Sequence, residues 1–137
     1  MSFKWRATTL GEVSTWASGG TPKKDEPSYW GGDIPWISAN SMHVTRFFES
    51  DLTLTEAGLK NGSRLASKDT VLLLVRGSAL HSRMPVGIAL RDLAFNQDVK
   101  GITAKADQIR PWYLLYWLMG NEKFILDSVV EFTGNPF

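Results

Sequence analysis

The chain has no cysteine, which removes disulfides, thiolate nucleophiles and cysteine-ligated metals from consideration. Histidine is almost as scarce. His43 and His81 are the two present, and neither has an acid or a second ligand at metal-binding spacing, so no metal site is expected. An excess of one charge is also lacking: Lys+Arg number 15 against 14 Asp+Glu, a formal net charge of +1. A strongly basic domain would announce a polyanion partner; here any nucleic-acid contact must rest on a local patch. No run approaches the roughly 18 apolar residues of a membrane span. The opening stretch MSFKWRATTLGE has no apolar signal core, so a soluble, cytoplasmic domain is expected. No internal repeat, charge block or low-complexity tract divides the chain.

What is present suits one hydrophobic core. The 137 residues are 43% hydrophobic, enough for a single domain and too few for two comfortable ones. TTLGEVSTWASGGTP reads as a short helix: Thr9 and Glu12 stand at capping-box spacing, Leu10, Val13 and Ala17 share a face, and Gly19-Gly20 stops it. KKDEPSYWGGDIPWI reads as a loop punctuated by Pro27, Gly31, Gly32 and Pro35, with a short strand beginning around Ile34. A second capped helix is expected in TLTEAGLKNGS, starting from Thr53 and Glu56 and ending by Gly62. Val71 to Val75 is a continuous apolar run of strand length. PVGIAL and LAFNQ read as strands joined across Arg91-Asp92, and VKGITA as another. From Pro111 the pattern turns helical, with Trp112, Leu115, Tyr116 and Met119 on one face and Gly120-Asn121 as a break; EKFILDSVVEF continues as a helical or partly extended piece. The fold class expected is α+β, one compact domain over residues 1–137 with a mixed, strand-rich core and short peripheral helices.

Catalytic chemistry does not show. Ser18-Gly19-Gly20-Thr21 superficially resembles a phosphate loop, but it lacks the Lys-Ser/Thr ending and follows a helical pattern; a helix stop is the better reading. The carboxylates are scattered, and no Ser/His/Asp signature is present. Six tryptophans have two readings. Exposed, they stack on sugars or unpaired bases; buried, they fill the core. Trp112 and Trp117 lie in a helical apolar pattern and are read as core. Trp30 and Trp36 sit among turn residues, with the structural role preferred.

Cations gather beside loops. Arg76, Ser78, His81 and Arg83 fall between one strand and the next; Asn40, His43 and Arg46 follow the Trp36 strand. Fork donors and small hydroxyls of this kind suit base edges and phosphates, although an ordinary solvated loop has the same composition.

Five stretches carry more than composition: LGEVSTWASGGTPKKDEPSYWGGDIPWISA, LTEAGLKNGSRL, TVLLLVRGS, FNQDVKGI and PWYLLYWL. In this order, from about Trp5 to about Phe132, they resemble the specificity (S) subunit of type I restriction–modification systems. The resemblance implies one target recognition domain, with a DNA-methylase-specificity-like fold, that reads half of a split double-stranded DNA target. It implies partners, the modification (M) and restriction (R) subunits, and possible pairing of half-units. S-adenosylmethionine, ATP and Mg would belong to those partners, leaving this chain non-catalytic and without a cofactor. The spacer helices and second recognition domain of the family pattern are not found in these residues. Alternatives are an S-derived assembly module acting through protein contacts, and a tryptophan-rich carbohydrate-binding module.

Asn96, Gln97 and Asp98 in LAFNQDVKGI pose a choice. Amides are natural bidentate readers of adenine, yet a signature shared by domains that read different targets cannot tell those targets apart. A turn held by side chain–backbone bonds of Asn96, Gln97 and Asp98, with a phosphate contact from the group, is preferred, and Gln97 is kept among the DNA-binding candidates. Specificity is then expected in Asn40 to Arg46 and Arg76 to Arg83. Arg76 and Arg83 are the first candidates for base readout; Lys23, Lys24 and Lys100 are the first for phosphate.

Overall fold

The run Val71–Leu74 organises the fold because both of its faces are buried. Val71 and Leu73 point to one hydrophobic cluster, Leu72 and Leu74 to another, as the two-residue period of a strand requires. That explains why the sequence is continuously apolar there instead of alternating. The computed structural model describes residues 8–133; Trp5, where the family resemblance begins, lies outside them. In chain order the elements are α1 (Leu10–Val13), β1 (Ser14–Ser18), β2 (Trp30–Ile37), β3 (Arg46–Phe47), β4 (Thr53–Leu54), α2 (Glu56–Lys60), β5 (Arg64–Ala66), β6 (Val71–Leu74), β7 (Val86–Ala89), β8 (Leu93–Phe95), β9 (Val99–Ala104), α3 (Pro111–Gly120) and α4 (Glu122–Thr133).

Two sheets result, ordered β1-β9-β6-β7-β3 and β4-β2-β8-β5. Most pairings are antiparallel; β3 with β7 and β2 with β8 run parallel. One face of the larger sheet carries Val71, Leu73, Ile88 and Ile102 against Leu114, Leu115 and Leu118 of α3. The opposite face, with Leu72, Leu74 and Val99, packs on Ile37, Leu93 and Phe95 of the smaller sheet. The far face of the smaller sheet buries Trp36, Leu54 and Ala94. Helix, sheet and sheet thus stack as three layers, the strand-rich α+β arrangement expected from sequence.

The two sheets meet at Phe95. Its carbonyl accepts from the amide of Gly20 (3.0 Å) and from the Ser63 hydroxyl (3.0 Å). A Cβ on Gly19 would lie 2.1 Å from that carbonyl oxygen, and one on Gly101 would lie 2.8 Å from the Phe95 ring. Glycine is required at both because backbone and ring leave no room for a side chain.

Several local readings are corrected. The helix expected through Ala17 stops at Val13; Ser14–Ser18 is a strand paired residue for residue with Ala104 back to Lys100. Thr9 caps as expected, its hydroxyl accepting from the Glu12 amide at 3.3 Å, while the Glu12 carboxylate accepts from Thr8 (2.7 Å). Gly31, Gly32 and Pro35, read as strand breakers, lie inside β2, which takes them up as an irregularity: Trp30 and Ile34 both register with Leu54. The second helix is capped by Thr55, whose hydroxyl accepts from Gly58 at 3.1 Å; Thr53 belongs to β4. β7 and β8 follow one another as expected but enter different sheets. In α3 the buried residues are Leu114, Leu115 and Leu118, so Trp117, read as core, is 39% exposed. Glu122–Thr133 is helical throughout.

Replacing Phe95 by Ala should lower unfolding free energy by about 3–5 kcal/mol, the cost of deleting a buried aromatic side chain. A urea midpoint that moves by much less would show that the ring does not join the sheets.

Candidate nucleic-acid interface

The turn between β8 and β9 is built by its own side chains. Asn96 is 8% exposed, and its amide oxygen accepts from the backbone N–H of Asp98 at 3.0 Å, the hydrogen bond of an Asx turn. The Asn96 backbone N–H in turn donates to the Ile37 carbonyl (3.0 Å). Asn96 is therefore committed inward, in line with the turn reading preferred for this stretch. Gln97 points outward and accepts from the Thr21 hydroxyl at 2.6 Å.

Around this turn five sequence-predicted residues come together. Lys24 and Asn40 line an open groove of about 390 Å³ with Thr21, Trp36, Ser38 and Gln97. The Lys24 ammonium lies 5.9 Å from the centre of the Trp36 ring, within cation–π range. Arg76 leans onto the turn from the end of β6: its Nη2 donates to the Gln97 carbonyl (3.2 Å) and its Nε pairs with Asp98 (3.3 Å). Lys100, two residues past Asp98, donates to the Ser18 hydroxyl. Lys23 is exposed beside the groove's Lys24 and gives its carbonyl to the Trp30 indole N–H (2.9 Å).

The remaining candidates form a second group. Arg83 donates from Nη1 to the Met42 carbonyl (3.1 Å), tying together the two loops in which specificity was expected. It borders a shallow depression of about 230 Å³ with His43, Thr45, Met84, Met119 and Glu122. Arg46 sits in β3 with its guanidinium 5.4 Å from the Trp112 ring centre. Ser78 and His81 open and close the 3-10 turn Ser78–His81 and are exposed. The eleven candidates thus separate into a turn-and-groove group and a loop group.

Thr21 and Ser38 were not singled out by sequence reasoning as contact residues, and Asp98 was read with Asn96 and Gln97 as part of the turn. Each of the first two lies one to three positions from a residue that was singled out, but their convergence depends on the parallel pairing of β2 with β8, Trp36 opposite Ala94 and Ile37 opposite Phe95. Trp30 and Trp36 meet edge to face at 5.2 Å, and the Trp36 indole N–H donates to the Gly20 carbonyl (3.1 Å). With Trp36 4% exposed, this pair is structural and offers no flat platform for a sugar ring. Among the described residues no cluster of His, Asp or Glu is arranged to hold a metal ion. No helix among them is long and apolar enough to cross a membrane.

Strand order, turn and loops define a class. Residues 3–134 match the family described as the type I restriction modification DNA specificity domain, and the chain belongs to that family. It is 35% identical over 109 residues to the type I restriction enzyme EcoR124I/EcoR124II specificity subunit of Escherichia coli, covering 74% of this chain and 26% of that protein. It is 32% identical over 119 residues to the MjaIX specificity subunit of Methanocaldococcus jannaschii, covering 82% and 26%. Among solved structures it is similar to the HsdS subunit from Thermoanaerobacter tengcongensis, with a TM-score of 0.62 at 15% identity over 87% of this chain and 28% of that one. A chain from a structural study of complex assembly in the type I R-M system gives a TM-score of 0.63 at 17% identity, over 80% and 26%. The chain spans about a quarter of the length of these relatives.

The Arg83–Met42 bond makes one loop a support for the other. Arg83→Ala should cost global stability roughly 1 kcal/mol, as for a single partly exposed hydrogen bond, and should speed amide exchange at residues 42–45. Unchanged exchange in that loop would show that the bond does not restrain it.

Proposed function

We propose that this chain is one target recognition domain of a type I restriction–modification specificity subunit, binding double-stranded DNA and reading one half-site without chemistry of its own. The observation that carries the reading is the family match across residues 3–134. In it, Lys23, Lys24, Lys100 and Gln97 contact the phosphate backbone, while Arg76, Arg83, Asn40, His43, Arg46, Ser78 and His81 supply the contacts nearer the bases. Phosphate contacts fix register and base-edge contacts specify sequence, which suits a groove-centred cationic group beside two exposed loops. The domain works in the cytoplasm with modification and restriction subunits, and S-adenosylmethionine, ATP and Mg serve those subunits.

A net charge of +1 limits what the domain achieves alone. In a fluorescence titration with duplex DNA of unselected sequence at physiological salt, the expected Kd is about 10⁻⁴–10⁻⁶ M, the range of nonspecific binding. Affinity should fall as salt rises, and Lys24→Ala should reduce the slope of log K against log salt by about 1. Tight binding that ignores salt would contradict this picture.

A further inference from the structure

We propose that Asp98 is a positioning residue: it holds Arg76 so that the end of the guanidinium meets two coplanar acceptors, O6 and N7 of a guanine in the DNA major groove. The inference rests on the DNA-reading function proposed above and assigns one of its contacts.

The geometry divides the five N–H donors of Arg76. The side edge is occupied, Nε by the Asp98 carboxylate at 3.3 Å and Nη2 by the Gln97 carbonyl at 3.2 Å. The end edge, one proton of Nη1 beside the second of Nη2, has no hydrogen-bond partner among the described residues. That edge is the fork that matches a pair of parallel acceptors. Both ends of the support are themselves fixed. The Asp98 carbonyl accepts from the Val75 amide at 2.8 Å, and the Asp98 amide donates to Asn96 at 3.0 Å. The arginine and its carboxylate are therefore held in register by backbone bonds on either side, with the Arg76 side chain 63% exposed.

Such an exposed ion pair contributes little to stability, so its value lies in direction. A long arginine side chain loses rotamer freedom when it binds, and a carboxylate that orients it beforehand reduces that loss. The same two-acceptor edge also fits a phosphate, but a carboxylate 3.3 Å from the guanidinium repels an incoming phosphate and partly neutralises the cation. A guanine edge carries partial charges in place of a full negative one and is repelled far less. The pairing of Asp98 with Arg76 thus favours a base over the backbone.

The first step of the test equilibrates the unaltered chain with a pool of random duplexes. The retained sequences are then resynthesised with guanine or with 7-deazaguanine, which lacks the N7 acceptor. The chain should bind the 7-deazaguanine duplexes roughly five- to hundred-fold more weakly, the discrimination of one bidentate pair. Asp98→Asn should bind guanine duplexes more weakly and lose most of that difference, with its thermal midpoint little changed. Arg76→Lys, which keeps the charge at an exposed site but lacks the fork, should do the same and guards against any folding defect in the first variant. Failure of the unaltered chain to bind any duplex would remove the DNA-reading function and this inference together. Binding without an enriched sequence, or without sensitivity to 7-deazaguanine, would overturn the guanine contact and leave DNA binding standing. Tighter binding by Asp98→Asn is the sign expected of a phosphate contact and would also overturn it.

Discussion

Everything else in this molecule depends on how the backbone passes from the smaller sheet to the larger one at Phe95. Two sheets packed face to face bury their side chains readily, but the strand that crosses between them exposes polar backbone in the interior, where an unpaired group is costly. Here the crossing is satisfied locally. The Phe95 carbonyl takes two donors and the Asn96 amide finds the Ile37 carbonyl. The close approach needed for these bonds is possible because Gly19 brings no side chain to the Phe95 oxygen. The same short turn then presents Gln97 and Asp98 outward, so the requirement of a satisfied crossing and the placing of the contact residues are one arrangement.

The division of labour among the candidate contacts follows from this. Residues attached to the crossing, Lys24, Asn40, Gln97 and Arg76, occupy positions set by the core. In the loop group, Arg83 is tied to the Met42 carbonyl of the neighbouring loop by a single bond. Loops carried by a rigid scaffold are where binding residues concentrate.

Much of the fold was legible in the sequence where the signal is local and periodic. The apolar run of β6, the strand VKGITA, the helix from Pro111 and the Thr9 cap all depend on nearest neighbours along the chain. The readings that failed depended on distant partners. STWAS has a helical apolar spacing, and what makes it a strand is β9, more than eighty residues later; Thr15, for instance, donates to the Thr103 carbonyl across a separation of 88. The glycines and proline of WGGDIPWI argue against a regular strand, and only the irregular register with Leu54 accommodates them. For the site, the cationic loops and the turn-forming role of Asn96 were readable. The neighbourhood of Thr21 and Ser38 beside that turn was not, because sheet pairing and not sequence distance puts those residues there.

The register of β1 against β9 has a consequence for biosynthesis. Ser14–Ser18 leaves the ribosome more than eighty residues ahead of its hydrogen-bonding partner, Lys100–Ala104. Until then the larger sheet lacks the strand that lies between β1 and β6, and both present open edges of the sort that recruit other strands. The larger sheet is therefore complete only once Val99–Ala104 has been made. A nascent chain arrested before Val99 would carry two orphaned edges, each with a row of unpaired backbone groups.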